Sequence, residues 1–490
     1  MVVGTTSHAG KSMLVTALCR ILSRRGWRVA PFKGQNMALN SYVSTTGAEI
    51  GYAQAVQAWA AGVSPQAEMN PILLKPQGDQ TSQVILKGRP IGRTTAEKYY
   101  ENFFSAGWQA IQESLARLSQ EFDLLVCEGA GSPAEINLKH RDLANMRIAT
   151  YLEAPTILIA DIDRGGVFAH IVGTLELLEP EERSLIKGIV INKFRGQRSI
   201  LQPGIDWLEE RTGIPVIGVI PWLDAAFPAE DSLSLLDRPA VKTQADITVV
   251  VIRLPRISNF TDFDALEAEP SVNVKYLSPK DDLGYPDAVI LPGTKTTIAD
   301  LLALQQTGMA EAIVNYAAAG GTVMGICGGF QIMGQMLADP EGLEGQEGRF
   351  NGLGLLPLRT VITQQKVARQ RTVSSKFPQE GLPIVGYEIH QGRTQLVVST
   401  GSDEENSFLP IFDDRSLGIV DASQSIWGTY LHGIFDNGPW RRSWLNRLRQ
   451  QRGLRSMPTG IANYREQRDS MLNDLATTIE EYIDLDPILS

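Results

Sequence analysis

The sequence predicts an α/β protein: a doubly wound parallel sheet in the first half, then a second, smaller α/β unit. Three observations carry this. Continuous Val/Ile/Leu runs recur along residues 1–225, as parallel strands buried on both faces require. Amphipathic segments long enough to be crossover helices separate them. A further series of apolar runs and helical stretches begins after residue 245.

Taken in order, the expected strands of the first unit (1–225) are residues 1–3, 27–32, 123–127, 155–160, 186–191 and 216–219, with helices over 11–25 and 95–120. The first strand has three residues against a typical ~5–6, which fits either a native start lying upstream or a truncated sheet edge. Residues 226–245 are rich in Pro, Asp and Ser without periodicity and read as a linker. The second unit (246–445) should place strands at 247–253, 274–276, 288–291 and 322–325, with β-rich segments at 352–361, 396–398 and 425–430. Residues 446–490 read as a charged helical tail.

The chain has 490 residues, enough for two or more domains at about 150 residues each. Its 43% hydrophobic and 20% charged content is that of a soluble globular protein. A net charge of -10 and a pI near 5.2 argue against a nucleic-acid partner, which calls for a basic face. The three cysteines, Cys19, Cys127 and Cys327, form no C-x-x-C pair, so neither a paired-cysteine zinc site nor a disulfide framework is expected. No apolar run approaches the ~18 residues of a membrane span, and no signal peptide is evident. A reducing, cytoplasmic location without membrane contact follows as the expectation.

Gly4-Thr5-Thr6-Ser7-His8-Ala9-Gly10-Lys11-Ser12 follows an apolar strand and opens a helix, the context of a phosphate-binding Walker A loop. Backbone N–H groups and the helix N-terminus would hold the phosphates. Lys11 would reach the β- and γ-phosphates of ATP, and Ser12 would ligate Mg²⁺. Five residues rather than the usual four separate Gly4 from Gly10, a variant that resembles dethiobiotin-synthetase-like ATPases. Glu128 ends an apolar strand before a glycine turn, a place where ligands collect, and is a second Mg²⁺ candidate. Lys33 also ends a strand and could meet phosphate or a substrate carboxylate. Asp161 carries a weaker signal of the same kind, and Asn192-Lys193, after the strand at 186–191, resembles a base-reading motif or a plain strand-ending turn. His8 reads as a solvated loop side chain, and Cys127 as a small buried hydrophobe.

Gly325-Ile326-Cys327-Gly328-Gly329 has the G-x-C-x-G pattern of a nucleophile elbow, a sharp strand-to-helix turn that exposes one reactive side chain. A thiol nucleophile needs a base. Of the five histidines only His390 and His432 lie in the second unit. His432 ends an apolar run and is followed by Gly433, so it is preferred over His390. Charge developing on an attacked carbonyl needs N–H donors. Gly328, next to the nucleophile, supplies one, and Gly293 in the turn after residues 288–291 is the candidate for the other.

These residues resemble the class I glutamine amidotransferases, through Pro292-Gly293, Gly325-Ile326-Cys327-Gly328-Gly329-Phe330-Gln331 and Tyr430-Leu431-His432-Gly433. That resemblance implies a flavodoxin-like α/β second domain. In most of that class a glutamate follows two residues after the histidine. Here the position is Ile434, which leaves the group orienting His432 open, with Asp436 and Glu388 as guesses. In the first unit Phe32-Lys33-Gly34-Gln35-Asn36-Met37-Ala38-Leu39-Asn40-Ser41 and Met69-Asn70-Pro71-Ile72-Leu73-Leu74-Lys75-Pro76-Gln77 narrow the likeness, as does Gly386-Tyr387-Glu388-Ile389-His390 in the second. Together they resemble the cobyric acid synthase family over about residues 1–445.

The resemblance implies ATP- and glutamine-dependent amidation of the b, d, e and g carboxylates of adenosylcobyrinic acid a,c-diamide, a step of cobalamin biosynthesis. The small-molecule partners would be this corrinoid and L-glutamine. Lys33, Asn36, Lys75, Glu388 and His390 are the substrate candidates, with Lys87, Arg89 and Arg93 as further cations. Ammonia released to water would become ammonium, so an enclosed path between the units is expected. The sister reaction at the a and c carboxylates of cobyrinic acid is the nearest alternative. A ParA-like scaffolding ATPase with an inactive second domain is an alternative of another class, disfavoured by the Cys327 elbow. A cysteine protease is disfavoured by the phosphate loop.

Overall fold

The computed structural model describes residues 1–78, 81–95, 98–99, 101, 103–223, 242, 245–397 and 407–489; the expected linker at 226–245 lies outside these, apart from Lys242 and Ala245. In the first domain the strands Val29–Phe32 and Leu124–Cys127 pair in parallel, and a bridge from Glu128 to Val2 joins them to Val2–Gly4. Thr156–Asp161, Ile186–Phe194 and Val216–Pro221 follow, all parallel. Val2–Gly4 therefore lies inside the sheet, not at a truncated edge. At its end the chain passes directly into the phosphate turn. The helix Lys11–Arg24 covers this sheet with Leu14, Val15, Leu18, Cys19 and Ile21, all buried.

An antiparallel excursion departs from the sequence expectation. Ile72–Pro76, Thr81–Leu86 and Arg89–Thr95 form a meander alongside Gln35–Met37. The expected helix over 95–120 is realised as Phe104–Glu121. The turn joining Leu86 to Arg89 uses Lys87 at φ 46 and Gly88 at φ 76, the paired positive angles of a tight hairpin.

In the second domain the strand order is Val272–Leu277, Ile247–Ile252, Ala288–Leu291, Thr322–Ile326, Ile426–Thr429, Gly418–Asp421 and Phe408–Pro410. All pairs are parallel up to Ile426–Thr429 and antiparallel beyond it. The strand that delivers Cys327 is thus central. A long antiparallel pair, Leu358–Ser374 with Pro383–Leu396, forms a second sheet, and Leu431–His432 pairs with its Tyr387 and Glu388. Of this hairpin only residues near 358–361 and 396 read as strand from sequence, because polar and charged residues interrupt the apolar ones along its middle, which is half exposed on the first strand though residues 386–389 of the second are buried.

The helix Gly438–Gln451 buries Trp440, Trp444, Leu445 and Leu448 in the second core, so the expected boundary at 445/446 falls inside a helix. The helix Tyr464–Glu480 then returns to the first domain. Its Leu472, Leu475, Ala476 and Ile479 join the core around Lys11–Arg24. Arg20 and Arg25 pair with Asp469 (2.5 Å) and Glu480 (2.8 Å), and Ile483 bridges to Gly218 at the sheet edge.

Candidate active sites: a thiol triad and a phosphate loop

Cys327 caps the short helix Gly328–Ile332 with φ 50 and ψ -109, a conformation few non-glycine residues adopt. The flanking glycines make it possible. A Cβ on Gly329 would stand 1.9 Å from the Leu291 carbonyl oxygen, and one on Gly325 2.7 Å from the Phe330 backbone. The Cys327 backbone N–H donates to Thr429 (2.8 Å), tying the elbow to the neighbouring strand, and the thiol lies 3.2 Å from the Ile389 carbonyl oxygen.

His432 is buried at the end of its strand, with its ring stacked on Tyr387 (centroids 5.2 Å apart). Its Nδ1 lies 2.7 Å from Oδ2 of Asp262, whose Oδ1 accepts from the Gly433 N–H at 2.8 Å. Burial disfavours the imidazolium, but the Asp262 carboxylate, helped by Cys327, outweighs it and pushes His432 up to about 10. Nε2 is buried and makes no hydrogen bond of ordinary length among the described residues, although Cys327 is close enough to favour its charged form. Contacts between a nucleophile and its base are commonly long before substrate is bound.

The orienting carboxylate is therefore neither of the two guessed from sequence. Asp436 faces Arg468 at 3.8 Å. Glu388 pairs with His390 (2.9 Å) and Arg369 (2.7 Å), and the His390 ring stacks on Tyr430. Asp262 sits in the turn Phe260–Phe263, 170 positions before His432, where no local pattern announces it.

The two oxyanion candidates lie against this group. A Cβ on Gly293 would be 3.3 Å from Cε1 of His432, and one on Gly328 3.1 Å from the Thr294 backbone nitrogen. The turn after Ala288–Leu291 and the start of the nucleophile helix thus face each other. Behind Asp262 a cavity of about 200 Å³ opens between the domains, lined by Tyr42, Tyr52, Tyr387, Asp436 and Arg468 among others.

At the phosphate loop, Gly10 has φ 105, and a Cβ there would strike the Asn192 amide at 2.1 Å. That amide donates to the Ala9 carbonyl (2.9 Å), so Asn192 braces the loop, while Lys193 pairs with Asp161 at 2.7 Å. A Cβ on Gly4 would crowd the Lys11 stem at 3.1 Å. Lys11 Nζ is folded back onto the Thr6 (3.0 Å) and Gly131 (2.9 Å) carbonyls, and the Thr5 N–H is tied to Ile159 at 3.0 Å. Ser12 Oγ donates to Glu128 (2.7 Å), which also accepts from Lys33 (2.9 Å) and from Gln57 (2.5 Å). Ser12, Lys33 and Glu128 are thus brought together as their strand-end positions suggest. Gln57 is a site residue that the sequence does not announce, since a lone glutamine in an alanine-rich helix carries no signal.

The other substrate candidates are dispersed. Asn36 donates to Gln54 at 2.9 Å. Lys75 is buried at the domain boundary, on Ser41 Oγ (2.9 Å) and Glu49 (2.8 Å). Lys87 pairs with Glu113 at 2.5 Å, Arg93 reaches the Gly342 carbonyl at 3.4 Å, and Arg89 starts an exposed stretch of strand. His8 is exposed, and burial raises the Cys127 thiol to about 11, which keeps it protonated.

An ATP-type phosphate loop joined to a thiol–imidazole–carboxylate group defines a glutamine-dependent amidotransferase with its own nucleotide-binding domain. The family model for the CobQ/CobB/MinD/ParA nucleotide binding domain matches residues 1–235, and that for the CobB/CobQ-like glutamine amidotransferase domain matches residues 248–440. The cobyric acid synthase of Nostoc sp. (strain PCC 7120) is 73% identical over 489 residues, covering 100% of this chain and 99% of its own. That of Trichormus variabilis is 73% identical over 99% of this chain and 98% of its own, and that of Synechococcus elongatus 66% over 100% and 99%. Among solved structures, PurLQS from Thermotoga maritima matches 41% of this chain and 99% of its own at 20% identity and a TM-score of 0.32, too loose a likeness to bear on function. The chain belongs to the cobyric acid synthase family, as its resemblances implied.

Proposed function

We propose that the protein amidates the b, d, e and g carboxylates of adenosylcobyrinic acid a,c-diamide, using ATP and taking nitrogen from L-glutamine. The observation that carries this reading is the line Cys327, His432, Asp262 in one domain beside an intact phosphate loop in the other.

Cys327 Sγ attacks the side-chain amide carbon of glutamine, forming a C–S bond. Charge on the oxygen is met by the Gly328 N–H and by the 293–294 turn. The His432 imidazolium, held charged by Asp262, gives its proton to the departing nitrogen as the C–N bond breaks. Water then cleaves the glutamyl thioester to glutamate and returns the thiol. At the other site a corrinoid carboxylate attacks the γ-phosphorus of ATP and ADP leaves. Ammonia displaces phosphate from the acyl phosphate, and the amide remains. Lys11, folded onto carbonyls here, would turn to the phosphates.

The Ser12 hydroxyl and the Glu128 carboxylate converge at the loop and are both hard oxygen donors, which suits Mg²⁺ held by few protein ligands and phosphate oxygens. When bound, the ion would neutralise charge on the β- and γ-phosphates. The free thiols Cys19, Cys127 and Cys327 support a reducing, cytoplasmic setting.

The test is product mass spectrometry with the purified corrinoid, glutamine and Mg-ATP. Mass gains matching amidation at b, d, e and g are expected, and Cys327→Ala should work only with added ammonium. Turnover of cobyrinic acid at a and c instead would overturn the substrate assignment.

A further inference from the structure

The motif running from Lys33 to Ser41 belongs to the nucleotide-binding domain, yet its far end enters the amidotransferase triad. Asn40 Oδ1 accepts from the Phe260 N–H at 3.1 Å. The Ser41 N–H donates to Asn259 Oδ1 at 3.0 Å, and the Ser41 carbonyl accepts from the Tyr387 hydroxyl at 3.1 Å. Two of these partners touch the His432 ring, and the third begins the turn that carries Asp262. Asn259 Nδ2 lies 3.5 Å from His432 Nδ1, Phe260 opens the turn that carries Asp262, and Tyr387 stacks on the His432 ring. Asn40, Ser41 and Asn259 are 1%, 0% and 3% exposed, so these bonds form away from competing water.

The turn needs such support. Asn259 sits at φ 53, in the left-handed region, and its own domain fixes it through Ser258 N–H to the Gly293 carbonyl (2.8 Å). From the nucleotide-binding domain the turn is met by Asn40 and Ser41. The segment itself is anchored by Tyr52 N–H on the Asn40 carbonyl (3.2 Å) and Lys75 on Ser41 Oγ (2.9 Å). At its other end Lys33 holds Glu128 beside the phosphate loop.

We propose that Asn40 and Ser41 are positioning residues for the thiol triad, supplied across the domain boundary: they hold the 259–262 turn and Tyr387, and through them the His432 ring. The inference rests on the triad reading above. It adds that glutamine hydrolysis at Cys327 depends on a segment of the other domain, whereas use of free ammonia does not.

The experiment compares glutamine with ammonium chloride as nitrogen source in full-length Asn40→Ala and Asn259→Ala, with corrinoid and Mg-ATP. For both variants, glutamine-dependent kcat should fall roughly tenfold or more, the size of loss that small misplacement of a reacting group produces. The KM for glutamine should stay within about threefold, as expected when ground-state binding is intact. Ammonium-dependent amidation should be unchanged. Alkylation of Cys327 by iodoacetamide should slow near neutral pH and its pH profile should shift, because the imidazolium partner is loosened. Asn40→Asp, which keeps the acceptor oxygen, should recover part of the glutamine-dependent rate. Equal losses with both nitrogen sources, or no loss with either, would overturn the proposal. Wild-type protein that uses ammonium but never glutamine would instead overturn the triad reading beneath it.

Discussion

Asp262 holds His432 by a 2.7 Å contact to Nδ1 and clamps the following backbone through Gly433, so one carboxylate fixes both ring and main chain. With Nδ1 committed, Nε2 is the nitrogen that faces the thiol. Asp262→Asn keeps the shape and loses the charge. It should lower glutamine-dependent turnover on the order of 100-fold or more, by analogy with triads that lose their carboxylate. Ammonium-dependent amidation should survive. Steady-state assays with the two nitrogen sources check this.

The same pair makes stability depend on pH. Folded His432 holds its proton up to about 10, against an ordinary value of 6.5. The folded state therefore binds the proton more tightly than the unfolded state. Its contribution is full below about pH 6.5 and is lost as the pH rises through about 10. Urea midpoints measured across that window should fall more steeply for wild type than for Asp262→Asn.

Gly329→Ala tests the elbow. Its Cβ would meet the Leu291 carbonyl oxygen at 1.9 Å, and that oxygen belongs to a central strand that cannot withdraw cheaply. A loss of about 1–3 kcal/mol or more is expected, as for overpacked sites, read as a lower thermal midpoint. Alkylation of Cys327 should also slow.

Glu49 is buried between Lys75 of its own domain, at 2.8 Å, and Lys366 of the other. Glu49→Gln would leave two buried ammonium groups without their countercharge. The expected destabilisation is about 3–5 kcal/mol. Chemical denaturation should then show separate unfolding steps for the domains.

Glu128→Gln and Lys11→Ala separate the two chemistries. Both should abolish ATP-dependent amidation with either nitrogen source, because Glu128 gathers Ser12, Lys33 and Gln57, and Lys11 is the loop's cation. Glutamine hydrolysis alone should persist at a measurable rate, followed as glutamate release.

Much of this was legible in the sequence, for physical reasons. Glycines at 325, 328 and 329 admit no side chain, and the strand-ending positions of Glu128 and Lys33 follow from the doubly wound plan, whereas His432 lies just past the strand Ile426–Thr429, in a short strand of the second sheet. Asp262 was not legible, because its role depends on a turn brought near from 170 positions away. The meander at 72–95 was missed because its turn rests on Lys87 at positive φ, which no side-chain preference signals. Lys75 looked like a substrate cation from its place in a strand; only the fold shows that Glu49 and Ser41 occupy it.

The returning helix Tyr464–Glu480 has a topological consequence. The polypeptide passes from the first domain to the second and comes home again, packing beside Lys11–Arg24 and adding Ile483 to the sheet edge at Gly218. One nick between residues 223 and 245 would leave both fragments locked together, so the two halves behave as a clasped pair.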